Sequence, residues 1–253
     1  MTFRSKVSIA LMGIFFAITA FISHAGEARN PENLIDGPVE FEEETIGVAE
    51  GIIPLFAYDG SVEVLDSARN VGYLQTRNKE AKEIPCSAIS ISSIHAISSK
   101  HCFGEITDVE ASVLSLGYYK SGREGFGDSY VVDHSVSAVT DDRIDILIAS
   151  SKEPFCPQHV PSQLSIRAPK VGEGIFIVHH PAQFPKMVSA NAEVCRVAHV
   201  EQEYFYYLCP TVRGSSGAPV FSKSGELLGT HRGKRRKKIG EILTKWGAAV
   251  RLD

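Results

Sequence analysis

The stretch CSAISISSIHAISSKHCF, residues 86–103, decides how this chain is read. From Ser87 to Ser92 serines interleave with Ala88, Ile89 and Ile91, the texture of a strand whose successive side chains point to opposite faces. It ends on His101, directly before Cys102, so a bridge from Cys86 to Cys102 locks the histidine's turn to the strand behind it. A histidine alone is most often structural or on the surface, and the chain has nine, so His101 gains meaning only from partners elsewhere.

The same texture continues on both sides. SYVVDHSVSAV (129–139), DILIAS (145–150), GIFIVHH (174–180) and EYFYYL (203–208) are short runs rich in β-branched and aromatic residues, bounded by turn residues, and each predicts a strand. KWGAAVRL (245–252) reads as a final strand in which Trp246 packs into the core. Helical spacing is confined to weak candidates at 103–115 and 162–168, and no repeat of fixed period is present. An all-β sandwich or barrel follows. Pro154, Pro157, Pro161 and Pro169 mark 150–170 as the crossover between two halves.

Residues 1–25 place Arg4 and Lys6 ahead of an apolar run from Val7 to Ile22, followed by Ser23 and Ala25. That order predicts a secretory signal peptide cut after Ala25, the rival being an uncleaved membrane anchor. Residues 26–50 hold eight acidic residues against the single Arg29 and read as a solvated arm or a removable pro-segment. The remaining 51–253 suit one large all-β domain or two small ones sharing an interface, and nothing later is apolar enough to cross a membrane. With 43% hydrophobic residues and a formal charge of -4, disorder and general nucleic-acid binding are both excluded.

Five cysteines in an exported chain point to disulfides. Spacing favours Cys86 with Cys102 and Cys195 with Cys209, leaving Cys156 over, while no pair has the short separation of a structural zinc site. His159, His179, His180 and His199 lack an accompanying carboxylate or cysteine pattern, so no metal site is expected.

RGSSGAPVF, Arg213–Phe221, sets a serine pair between two glycines ahead of an apolar strand. It is either a plain turn or the seat of a nucleophile, whose oxygen must project from a tight turn with backbone N–H groups facing the incoming carbonyl oxygen. In the second reading Ser216 is the nucleophile, and Gly214 and Ser216 supply the two amides. His101 is then the base, and Asp145, ahead of the strand DILIAS, orients it at the edge of a core; Asp141 and Asp142 are alternatives that read as solvated loop acids.

Histidine, aspartate and serine in that chain order, with HC after a strand, DILI and GSSGAP, resemble the chymotrypsin-like serine peptidases over roughly residues 70–250. The resemblance implies two six-stranded antiparallel β-barrels with the active site in the cleft between them, protein or peptide substrates, a monomer and no cofactor. Ser215 departs from the aspartate that vertebrate digestive members carry before the nucleophile, so activation through an ion pair to a freed N-terminus is not expected. Thr211 and His231 stand at the separations at which the bacterial glutamyl endopeptidases bind an acidic side chain, and a protonated His231 would add charge assistance. Along LLGTHRGKRRKK, Arg232 and Gly233 are expected to pair with an extended peptide. The basic run from Lys234 to Lys238 is either an exposed hairpin tip or a positive field beside the cleft. The function implied is a secreted or periplasmic serine endopeptidase, the alternative a silent homologue that binds a partner through this basic edge.

Overall fold

The computed structural model describes residues 51–77, 83–103, 112–119, 127–133, 144–191, 193–239 and 242–253. The leader and acidic arm, Asp141 and Asp142, most of the helical candidate at 103–115, and the end of the strand expected at 129–139 lie outside the described residues.

Six strands, β2 (Val71–Arg77), β3 (Glu83–Ser90), β4 (His95–Ser98), β5 (Val113–Ser115), β6 (Ser129–Asp133) and β7 (Leu147–Ser151), close into an antiparallel barrel in the order β2-β3-β4-β7-β6-β5. Leu74, Ala88, Ala96, Leu114, Val132 and Leu147 fill it, each from an inward position of a different strand. The chain then crosses through 152–174 and builds a second sheet with β8 (Ile175–His179), β9 (Met187–Ser189), β10 (Val197–Val200), β11 (Tyr204–Tyr207), β12 (Pro219–Ser222), β13 (Leu227–Ile239) and β14 (Ile242–Arg251). β1 (Ile52–Pro54), from the far end of the sequence, pairs with β9, giving the order β1-β9-β8-β12-β13-β14-β11-β10.

This second sheet is not a flat ribbon. The chain entering β8 returns to β10 through Gly172 N–H to the Val197 carbonyl at 2.7 Å and Ile175 N–H to the Cys195 carbonyl at 2.9 Å. Six strands therefore form a ring around Ile175, Ile177, Val197, Phe205, Val220, Leu228 and Ala249, with β9 and β1 extending from it. The Cys195–Cys209 disulfide staples its end. A third cluster joins Val71, Ile89 and Ile97 of the first barrel to Phe176, Phe221, Trp246 and Val250 of the second sheet, so the two are packed face to face.

Two expectations need correction. Residues 162–168 are not helical: Ile166 bridges Leu227 at the start of β13, and the rest of the segment is irregular. Among the described residues the α-helix is instead α1 (Val62–Ala68), preceded by Ser61 in an extended conformation without a side-chain cap bond, with Glu63 in the first turn and only Val64 and Ala68 buried. Two buried positions in seven residues leave almost no periodic signal.

Candidate active site

His101 sits in a 3-10 turn, Lys100–Cys102, that follows β4 at once. The Cys86–Cys102 disulfide and a hydrogen bond from the Thr76 hydroxyl to the Cys102 carbonyl tie that turn to the barrel wall. β4 pairs with β7 so that Ser98 faces Leu147, and continuing the antiparallel register brings residue 145 opposite the turn. The register is thus what delivers Asp145 to His101. The contact is double: the His101 backbone N–H donates to Oδ1 at 2.9 Å, and Nδ1 lies 2.5 Å from Oδ2. A carboxylate accepting at Nδ1 selects the tautomer that carries its proton there. Asp145 is buried and His101 is part-exposed, which suits an orienting group and a working group respectively. Arg232 Nε also reaches Asp145 Oδ2, at 3.3 Å.

The Ser216 turn belongs to the second sheet but is gripped by the first barrel. Ser87 N–H donates to the Ser216 carbonyl at 2.7 Å, and the Ser87 hydroxyl donates to the Gly214 carbonyl at 2.9 Å. Gly217, at φ +78°, lies so close to Ser98 and Ser87 that a Cβ there would fall 2.1 Å from the Ser98 hydroxyl, so only glycine fits. Ser98 and Ser99 lead directly into the His101 turn, so this close approach places the serine turn against the histidine turn.

Within the turn the amides alternate. Ser215 N–H is used by the Val212 carbonyl at 3.0 Å, Gly217 N–H by His231 at 2.7 Å and Ala218 N–H by Ser215 at 3.0 Å. Those of Gly214 and Ser216 have no acceptor among the described residues. Gly214, at φ +93°, packs against the His180 carbonyl with no room for a Cβ. The Arg213 carbonyl accepts from Ala182 N–H at 2.6 Å. Because a trans peptide points its C=O and N–H in opposite directions, fixing that carbonyl aims the Gly214 N–H away from Ala182. Ala182 and Gln183 hold this loop in left-handed conformations, φ 49° and 67°.

Thr211 is buried, and its hydroxyl has no hydrogen-bond partner among the described residues. His231 is buried on β13, with Nδ1 2.6 Å from the Tyr207 hydroxyl. Burial, reinforced by the charges of neighbouring groups, holds His231 down to about 3, so the ring is neutral and the charge assistance that protonation would add is not supplied. Arg232 and Gly233 fall where β13 bulges between His231 and Gly233, and the β12 pairing has ended by then, leaving their outer edge open among the described residues. The Arg232 side chain does not follow the solvated basic run but turns back to Asp145 and the Tyr204 hydroxyl. In the run itself, Arg235 lies over the Tyr204 ring and Arg236 is exposed.

Both expected bridges are present, and Cys156 is free. The sulfurs near His101 are consumed by the disulfide, so that cluster offers no thiolate ligands. Of the residues that shape the turn, Ser87 carries no sequence signal of its own, while Ser215 enters the sequence reading only as the residue before the nucleophile and His179 only as a polar residue closing the apolar run IFIV and set aside as a metal ligand.

A family model described as the trypsin-like peptidase domain matches residues 86–229, more than half of the chain and the span from the first cysteine to β13. The chain belongs to the trypsin-like peptidases. No curated protein matches it. Solved structures share the fold: the Yersinia pestis serine endoprotease, at 15% identity and a TM-score of 0.54, is matched over 75% of this chain and 61% of its own. An M. tuberculosis protease in its active form aligns at 14% identity and a TM-score of 0.55 over 75% and 79%. An inactivated protease paralogue of the scabies mite aligns at 15% identity and a TM-score of 0.58 over 74% and 90%. A protease in its active form and an inactivated protease paralogue thus share this fold, and the chemistry rests on individual residues.

Proposed function

We propose that this trypsin-like peptidase is an exported serine endopeptidase that acylates Ser216 and prefers an acidic residue before the scissile bond. The observation that carries the reading is the double contact between His101 and Asp145, which fixes the imidazole on a turn packed against two amides that have no acceptor among the described residues. His101 Nε2 takes the hydroxyl proton as Ser216 Oγ attacks the peptide carbonyl. The developing oxyanion accepts from the Gly214 and Ser216 N–H groups, a pair worth about 100 to 1000-fold in rate for each donor. His101 then gives its proton to the departing amine, and water repeats the sequence to release the acid.

The Thr211 hydroxyl supports the acidic preference, since a buried donor with no partner is costly until a ligand satisfies it. His231 joins it as a neutral donor: the Tyr207 hydroxyl occupies Nδ1, leaving Nε2–H for a carboxylate oxygen. Substrate backbone adds to the open edge at Arg232 and Gly233. The protein works as a monomer without metal or cofactor. Two disulfides and the sequence of residues 1–25 favour export, and among the described residues no helix is long and apolar enough to cross a membrane.

A cleavage-site profile on a denatured protein mixture tests the reading. Cuts enriched after glutamate, and lost in Ser216→Ala, are expected. Enrichment after basic or aromatic residues overturns the pocket assignment, and an absence of cuts overturns the enzyme.

A further inference from the structure

Ser215, directly before Ser216, is fully buried, and its hydroxyl belongs to an unbroken run of hydrogen bonds. Val212 N–H donates to Ser215 Oγ at 3.1 Å, and His179 Nδ1 lies 2.7 Å from the same oxygen. His179 Nε2 lies 3.2 Å from Ser189 Oγ, which donates to the Pro210 carbonyl at 2.8 Å. Elementary donor counting fixes every proton. A carbonyl only accepts, so the single Ser189 hydrogen goes to Pro210, and Ser189 must accept from His179 Nε2–H. Burial holds His179 down to about 3, so the ring is neutral, Nδ1 is bare, and Ser215 donates to it. The run begins on Val212 and ends on Pro210. It therefore loops back onto one segment, clamps both flanks of Thr211 and pins the residue before Ser216.

We propose that His179 is a positioning residue that, through Ser215 and Ser189, holds residues 210–216 in the oxyanion-binding shape without any ion pair to a freed N-terminus. The inference rests on the peptidase reading above. Its ground is that the network is neutral and complete. Ser215 has no charge to offer an incoming ammonium, and an unpaired ammonium buried beside a neutral serine and histidine is strongly disfavoured. Each member is also saturated by its neighbours, so deleting one orphans the next in a low-dielectric interior, where the loss is felt along the whole run. β8 carries His179 and β9 carries Ser189, two paired strands of the second sheet, so the turn takes its shape from the sheet rather than from the start of the chain.

A mutant cycle of Ser215→Ala, His179→Ala and the double variant tests this, with kcat, KM and the rate of fluorophosphonate labelling measured for each. Each single variant should lose at least about tenfold in kcat and labelling rate, with KM changed by no more than about threefold, since the defect lies in transition-state stabilisation. The double variant should be no worse than the poorer single, as for two members of one network. Protein starting at Gly26 and protein starting at Gly51 should label at equal rates. Labelling of Ser215→Ala within about twofold of the wild type, additive losses, or a large gain on removing residues 26–50 overturns the inference. If His179→Ala fails to fold, Ser189→Ala takes its place in the cycle. A wild type that does not label sinks the peptidase reading instead. Amide hydrogen exchange at residues 212–216 then still reads the clamp: exchange about tenfold faster in Ser215→Ala supports it, and unchanged exchange refutes it.

Discussion

The hydroxyl of Ser87, on the first barrel, donates to the carbonyl of Gly214, on the second sheet, at 2.9 Å and across 127 residues of sequence. The same oxygen accepts from His180 N–H at 3.0 Å, so one small side chain joins a barrel wall, the loop after β8 and the turn that holds Ser216. Neither half of the fold shapes the site alone.

Ser87→Ala should therefore slow the reaction without weakening substrate binding. Losing the bond frees the 214–215 peptide and disturbs the amides on either side, and a fall in kcat of roughly tenfold or more with an unchanged KM is expected. Steady-state kinetics on a short peptide checks it; a rise in KM alone would place Ser87 in binding rather than in shaping the turn.

Asp145→Asn should keep the fold and lose most of the activity. An amide at this position no longer selects the tautomer with Nδ1 protonated, so Nε2 is not reliably bare to accept the serine proton. A loss of about 1000 to 10,000-fold in kcat near neutral pH is the expected scale. Thermal unfolding should change little beside that loss.

Thr211→Val separates stability from specificity. The hydroxyl is buried and has no partner among the described residues, so replacing it by a methyl of similar shape should leave stability equal or higher. The preference for glutamate over glutamine before the cut should fall, by about tenfold or more, because the variant lacks a donor to the carboxylate. An unchanged preference would remove Thr211 from the pocket.

Acid should destabilise the protein well above the range in which its carboxylates titrate. Burial pushes His179 and His231 down to about 3 and His180 well below its ordinary value. In the unfolded chain each takes up a proton near pH 6.5, so between about 3 and 6.5 the unfolded state holds up to about three more protons, and stability falls as pH drops through that window. The limiting slope is on the order of 4 kcal/mol per pH unit. Burial likewise holds the Lys186 amine at about 7, which adds the same sign, stability rising with pH, between its folded and unfolded values. Urea unfolding from pH 4 to 9 reads this directly; a midpoint that does not move between pH 4 and 6.5 contradicts neutral buried imidazoles.

The strands and the three chemical motifs were legible because each is local. CSAISIS declares a strand within seven residues, and GSSGA declares a tight turn within five. What stayed hidden depends on contacts that only the folded sheets create. Arg232 reads as a residue whose backbone pairs with an extended peptide, and nothing local shows that its guanidinium turns back to Asp145 beside the bulge after His231. His179 reads as one more core histidine, and its link to Ser215 appears only when β8 and the 210–216 segment lie side by side. The charge state of His231 is hidden for the same reason: residue type sets the ordinary value, but burial lowers it.

The central claim is that Ser216 is a nucleophile activated by His101. Incubating the folded protein with a fluorophosphonate and locating the adduct by peptide mass measurement tests it most directly. A single adduct on Ser216, absent in His101→Ala and slowed by about a thousandfold in Asp145→Asn, is the predicted result. No adduct on folded wild-type protein, or an adduct on Ser216 that forms equally fast without His101, would contradict it.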